Sequence, residues 1–551
     1  MDNLRTLFIF GLLIVSLLLW EAWQTDYVRP QQAAQQANNT ETVTAKNSPK
    51  NAADLPDLPT DRAPDGLPDV SSIDGTAEAG SIQQIRVKTD VIDAYIDPRG
   101  GDIRKLALLQ YAVNPDQPDV PVQLLNDGRN PFFITQSGLR AEGPAPTHYD
   151  LYQASENSYT LAEGQDTLKV PLRWQSDNGL TVIKTYTFKR DSYLIDVDYQ
   201  IKNDSGEQFA AYPYAQLNRT EPTDGSMLLY TYTGAVFSSP ENEYKKVDFG
   251  ELDDADFRLN TNDGWVAMIQ HYFVGALVPP ADAQDMSFYG KSIDETNYTA
   301  GLRLPAVVAE DGQSATAQYQ MYLGPKQFER LEPVADNLDL TVDYGILTII
   351  SKPLFIVMDW FHSLTGNWGW SIVLLTILIK LVFFKLSAHS YRSMASMRKL
   401  TPKLATLKER YGDDKQKFNQ AMMDLYRTEK INPLGGCLPI LVQMPVFLAF
   451  YWVLVESIEL RQADFILWIN DLTAIDPYFV LPVLFGLTMW FQQKLNPMPQ
   501  DPAQAMMMKI FPIVFTVFFA FFPAGLVLYW LVNNILSIAQ QWYITRKMGA
   551  L

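Results

Sequence analysis

The segment Trp368–Ala388 reads WGWSIVLLTILIKLVFFKLSA, about 21 residues and so enough helix to cross a bilayer core. A chain carrying such a segment folds against lipid. Lys380 stands inside the run. An ammonium held in hydrocarbon costs a few kcal/mol or more unless water or a partner meets it. One reading is therefore a wet cavity opening into the bilayer. The competing reading is a lysine stem that snorkels toward the headgroups, since Lys380 lies about eight residues, roughly 12 Å, from the expected cytoplasmic end. Lys385, nearer that end, reads as a snorkelling side chain.

Charge divides the chain in two. The net charge over 551 residues is −18, yet residues 24–343 alone hold 25 Lys and Arg against 48 Asp and Glu. The remainder is slightly basic. An acidic soluble part is thus joined to an apolar, weakly basic one. The single cysteine, Cys437, excludes an internal disulfide framework and a multi-cysteine metal site. His148, His271, His362 and His389 show no metal-ligand spacing. No nucleotide motif is present, and no cofactor is expected.

Residues 1–23 read as a transmembrane anchor. The apolar run ends at Trp20 and Trp23 with no small-x-small site after it, which favours a retained anchor over a cleaved signal peptide. Residues 24–80, rich in Gln, Asn, Ala, Pro and Asp, predict a disordered periplasmic linker. Residues 81–340 predict a large β-sandwich. Ile85–Asp97, Thr167–Gln175, Leu180–Lys189 and Tyr193–Asn203 each alternate with period two. A short helix over about 325–338 closes it.

Residues 343–362 are apolar but interrupted by Pro353 and carry Lys352, Asp359 and Trp360. They predict an amphipathic helix lying in the interface, with an extension of the sandwich as the alternative. Residues 366–548 predict the membrane core, with spans at about 368–388, 434–457, 477–492 and 507–542. Residues 389–430 predict a cytoplasmic helical hairpin. Its ten Lys and Arg against five acids orient it inward, as Arg546-Lys547 orient the C-terminus. The acidic domain then lies outside. The anchor and four later spans, five in all, give both termini to the cytoplasm.

Polar residues recur inside the spans. Thr376 and Lys380 are spaced to share a helix face. Gln443 lies in the second span after the domain, Thr488, Gln492 and Gln493 at the third, and Thr516, Asn533, Asn534, Ser537, Gln540 and Gln541 in the fourth. Glu456 is the one candidate carboxylate partner for Lys380, and it sits near the opposite, outer end of its helix. An unpaired cation among amides and hydroxyls points to a polar groove; interhelical glue is the other use of such amides. In the hairpin, Met394, Met397, Leu400, Leu404, Leu407 and Tyr411 follow helical spacing. Gly412-Asp413-Asp414 supplies a turn and an N-cap for a second helix. Methionines there give a pliable surface for varied partners, or seal the two helices together. The positive charge suits anionic lipid or ribosomal RNA.

Several motifs resemble those of the YidC/Oxa/Alb membrane-protein insertases. They are GNWGWSIVLLTILIK (Gly366–Lys380), YRSMASMRKLTPK (Tyr391–Lys403), GDDKQK (Gly412–Lys417), NPLGGCLP (Asn432–Pro439) with QMPVFLAFYWVL (Gln443–Leu454), and FPAGLVLYW (Phe522–Trp530). The outer domain, with WVAMIQHYFVGALVP (Trp265–Pro279), resembles the Gram-negative branch. The resemblance implies a multi-domain membrane protein. An α-helical five-span insertase core carries a groove open to cytoplasm and lipid and closed outward, and a large all-β periplasmic β-supersandwich is joined to it. It assigns the groove's positive residue to Lys380, where many relatives carry arginine. Thr376, Gln443 and Phe447 would line the groove, and Tyr529 and Trp530 would touch the client. Asp413 and Asp501 match acids linked to docking of the signal recognition particle and its receptor, with Met394, Met397, Arg398 and Lys399 on the same cytoplasmic side. Many relatives have proline at Lys385, which bears on where that helix ends.

The expected function is insertion and folding of newly made inner-membrane proteins, alone or with the Sec translocon (SecYEG, SecDF). Expected partners are nascent membrane proteins, the ribosome, the signal recognition particle and its receptor, and the bilayer. No enzymatic activity is expected. A transporter would show inverted repeats, and none is found in the four spans. A sugar-converting enzyme would need a carboxylate or histidine cluster within residues 82–340.

Overall fold

The period-two pattern of the acidic region is realised strand by strand in a computed structural model. It describes residues 55–56, 83–128, 131–222, 231–294, 296–411, 414–429, 438–496 and 502–549. The anchor, nearly all of the linker, Asp413, Asp501 and the Asn432–Gly436 stretch lie outside the described residues. From residue 83 on, the described residues belong to one unit.

Twenty strands among the described residues, from Ile85–Lys88 to Ser314–Pro325, form sheets of five, nine and six strands. Thr167–Gln175 and Leu180–Lys189 are strands with the expected bounds, and the next runs Leu194–Asn203. These three are consecutive antiparallel neighbours in the nine-stranded sheet. Ile85–Asp97, expected as one strand, is two. Ile85–Lys88 and Ile92–Asp97 pair as a hairpin because the Thr89 hydroxyl accepts from the Val91 and Ile92 amides at 3.2 and 3.0 Å, a local bond that turns the chain.

One buried ion pair pins the three sheets together. Lys184 of the nine-stranded sheet donates to Asp102 of the five-stranded sheet at 3.0 Å, both side chains 0% exposed. The same carboxylate oxygen accepts from the Ser137 amide at 2.9 Å. Ser137 lies on the strand that pairs with Phe209–Thr220 of the six-stranded sheet. Burial lowers the Lys184 pKa and the Asp102 charge opposes that shift. Helices are few here: α1 (Phe249–Asp254) and α2 (Phe328–Leu331). The expected helix at 325–338 is thus one turn only, followed by a 3-10 turn at Leu338–Thr341.

The membrane part differs from expectation in three places. First, α3 (Thr348–Thr365) runs straight through Pro353. Residues Gly345–Thr365 are long and apolar enough to cross a membrane by length and composition. Second, the expected span 368–388 is bent by 68° between α4 (Trp368–Val382) and α5 (Phe384–Lys399). No proline or glycine lies at the bend. The Gln540 amide donates to the Phe384 carbonyl at 3.1 Å there, a bond from outside the segment. The hairpin's first helix is likewise two: α5 ends at Lys399, with Leu400 as its cap, and α6 (Thr401–Tyr411) begins with Pro402 in its first turn, since proline disfavours continued helix just before it. Asp414 caps α7 (Lys415–Thr428), accepting from the Gln416 and Lys417 amides.

Third, after α8 (Leu438–Glu456) and α9 (Val480–Leu495), the expected span 507–542 is two helices, α10 (Pro502–Phe519) and α11 (Ala524–Lys547). The turn between them is fixed from outside the segment. The Ala524 and Gly525 amides donate to Ala474 and Leu472 at 2.7 and 2.9 Å. This corrects the expected count. Four crossings from an outer domain would leave the C-terminus outside, so the expectation of both termini in the cytoplasm needs one helix more than it counted.

Candidate functional site

The i, i+4 spacing of Tyr529, Asn533 and Ser537 sets three polar groups along one face of α11. Lys380, two residues before the end of α4, turns sideways to this face and donates to the Ser537 hydroxyl at 2.7 Å. Ser537 in turn donates to the Asn533 carbonyl at 2.7 Å. The Asn533 side-chain oxygen accepts from the Gln443 amide at 2.7 Å, and that amide also reaches the Tyr529 hydroxyl at 3.3 Å. Lys380, Gln443 and the α11 face thus form one connected polar strip across three helices.

The strip bears on the two readings of Lys380. Ser537 lies about 15 Å before the end of α11 at helical rise, so the amine, although in the last turn of α4, is aimed across to α11. Among the described residues no carboxylate pairs with it. Glu456 is engaged elsewhere, with Lys326. The hollow beside Lys380, lined by Phe383, Leu386, Ser387, Val442 and Gln443 among others, measures about 10 Å³, room for roughly one water. The expected cavity is therefore narrow, its polar groups satisfying one another. A far larger hollow of about 930 Å³ lies on the β domain, lined by Asp196, Asp198, Asp263, Asp336 and Lys189 among others. It is remote from Lys380; it contains no histidine but does gather carboxylates, one of the two features that a sugar-converting enzyme would need.

The other expected residues separate into those facing the strip and those supporting it. Phe447 is half-buried with its ring 5.0 Å from the half-buried Trp530. The Trp530 indole N–H is buried and meets no acceptor among the described residues. Tyr529 and Thr376, each 1% exposed, are walled in. Thr376 donates its hydroxyl to the Ile372 carbonyl at 2.7 Å, so it does not line an open surface as expected. Met394 packs against Ala388, Tyr391 and Ile544, sealing α5 to α11. Met397 and Arg398 are half-buried, and Lys399 is exposed.

The amides divide in the same way. Asn534 bonds Thr488, Gln541 bonds Asn496, and Gln493 bonds the Met508 carbonyl. These are glue between helices. Ser537 and Asn533 are the partners of Lys380 and Gln443 that reading the chain did not single out from that set. Their spacing with Tyr529 was the available signal.

The loops at the Asn367 end of α4 are tied together by polar bonds. Asn367 caps α4 and donates to the Asp464 and Phe465 carbonyls at 3.1 Å each. Asp476 accepts from the Leu481 amide and the Trp468 indole at 2.7 and 2.9 Å.

Comparison with known proteins covers the whole chain. Residues 84–357 match the family described as YidC periplasmic domain, and residues 360–550 match 60Kd inner membrane protein. A membrane protein insertase YidC from Nitrosococcus oceani is 50% identical over 100% of this chain and 99% of its own length. One from Methylococcus capsulatus is 49% identical over the same shares. A crystal structure titled as an active YidC insertase with the first transmembrane domain resolved aligns at TM-score 0.40 and 19% identity, over 84% of this chain and 92% of that one.

Proposed function

The chain belongs to the YidC family of membrane protein insertases, and from that premise we propose that the strip around Lys380 receives the polar tail of each client. The protein is an inner-membrane insertase with a periplasmic β domain. The observation that carries the site is the Lys380 ammonium, held by a neutral hydroxyl and by no described carboxylate. A client carboxylate arriving there exchanges a neutral partner for an ionised one, and charge-assisted hydrogen bonds are roughly twice as strong. The cation is never left bare during the exchange.

Gln443, Phe447 and Trp530 surround the tail's path. Tyr529 and Thr376 support these residues from behind. The client's apolar helix then passes to lipid, gaining on the order of 25 cal/mol per Å² of apolar surface removed from water. The membrane potential contributes about 2.3 kcal/mol per elementary charge moved through 100 mV. The tied loops at the Asn367 end of α4 support a groove closed outward.

The topology we propose has the anchor and five core helices crossing, both termini in the cytoplasm, and α3, whose stretch Gly345–Thr365 is long enough to cross but leaves Ile346, Ile349, Ile356, Trp360 and Leu364 exposed, at the interface. The exposed basic side chains of α5 to α7 support docking of the ribosome, the signal recognition particle and its receptor. Cooperation with the Sec translocon belongs to the same reading. The test is a charge series at Lys380 in proteoliposomes. Lys380→Arg should insert acidic-tailed clients normally, and Lys380→Glu should reduce that insertion at least tenfold. Normal insertion of every client by both Lys380→Ala and Lys380→Glu would end the proposal.

A further inference from the structure

Lys326 and Glu456 are removed from water together, their side chains 2% and 4% exposed and 3.1 Å apart. Lys326 directly follows the last strand of the β domain, and Glu456 is the last residue of α8. Neighbouring contacts join the same two parts. The His271 ring nitrogen donates to the Val455 carbonyl at 2.8 Å, and Tyr344, fully buried, bonds the Ser457 hydroxyl at 2.9 Å. Arg461 and Gln462 donate to the Ala112 carbonyl at 2.8 and 3.0 Å. The apolar core is continuous across this junction, from Ile85 to Leu531.

We propose that this junction is a positioning device: the β domain grips the outer end of α8 through Lys326 and Glu456, and thereby sets where Gln443 and Phe447 stand in the groove. The proposal rests on the groove reading above. Gln443 lies on the same helix as Glu456, about 20 Å away at helical rise. A buried ion pair adds little net stability, because both charges regain water when the parts separate. Its effect is on orientation. Docking in any other register would bury an unpaired charge, so one geometry is selected. Glu456 thus has its own cation, and the hydroxyl of Ser537 is what Lys380 gives up to a client.

The test uses the full chain in membranes, with Cys437→Ser to remove the native thiol. Docking is read by cross-linking Ala112→Cys to Gln462→Cys. The position of α8 is read by cross-linking Gln443→Cys to Asn533→Cys. Insertion of an acidic-tailed client is measured on the otherwise unaltered chain. Lys326→Glu and Glu456→Lys should each lower both cross-links and insertion at least fivefold, and the double reversal should restore all three. The apolar pair Lys326→Met with Glu456→Leu should also dock and insert, because it leaves no charge unpaired. If single reversals fail to accumulate in membranes, these two double variants decide; failure of both overturns the proposal. It is equally overturned if single reversals leave docking unchanged, or abolish docking while the α8 cross-link and insertion stay normal. Lys380→Glu, run alongside, should lose insertion with both cross-links intact. If it inserts normally, the groove reading fails and the docking result still stands on its own readout.

Discussion

At the scale of single residues, the pairing of Lys380 with a hydroxyl and not an acid is what leaves it able to exchange partners. Ser537→Asp supplies a permanent carboxylate in place of the hydroxyl that now lies 2.7 Å from the ammonium. Insertion of acidic-tailed clients should then fall about as far as in Lys380→Ala, while clients with neutral tails insert within about twofold of normal. Parallel insertion assays of the two client types check this; unaffected acidic clients would mean the ammonium is not where tails bind. Lys380 itself was legible in the sequence because a charge in an apolar run has few explanations. Its partner was not, because Ser537 is 157 positions away and no local pattern ties one to the other. Thr376 illustrates the reverse. Spacing placed it on the right helix face, but a hydroxyl in a helix also has a carbonyl four residues back to bond, and that local bond prevailed.

At the scale of elements, the strands were legible and the helix ends were not. Thr167–Gln175 and Leu180–Lys189 alternate so regularly that one face must be buried. The break between α10 and α11 is hidden in a stretch that is apolar on both sides, and the bonds that fix it come from residues 472–474. The contact between β domain and α8 was likewise invisible, since its charges are far apart in the chain. That contact carries a pH dependence. Burial pushes the His271 pKa from 6.5 to about 4, the Val455 carbonyl opposes the shift, and the Lys326 and Arg461 cations add to it. A docked histidine that resists protonation stabilises docking fully above its ordinary pKa. The contribution declines as pH falls from 6.5 toward 4, at about 1.4 kcal/mol per unit at most. The Ala112→Cys to Gln462→Cys cross-link should therefore weaken between pH 7 and pH 5. His271→Gln, which keeps a donor and cannot titrate, should flatten that profile; an unchanged profile would remove His271 from the junction's energetics.

At the scale of the whole molecule, the division of charge was legible from composition alone, and it marks which part faces water. The number of crossings was not, because hydropathy counts apolar length and is blind to a turn held by outside bonds. With five core helices, a cysteine at Ala520 should react with an impermeant thiol reagent from the outer side only, and one at Lys547 from the cytoplasmic side only. Labelling of both from one side would contradict the topology. The account's central claim is that a client's polar tail meets the Lys380 strip inside the bundle. Site-specific photo-cross-linking from Gln443 to a stalled nascent chain tests this most directly. A strong adduct with an acidic tail that is lost in Lys380→Glu is the predicted result; an adduct of equal yield in both proteins, or none in either, would contradict it.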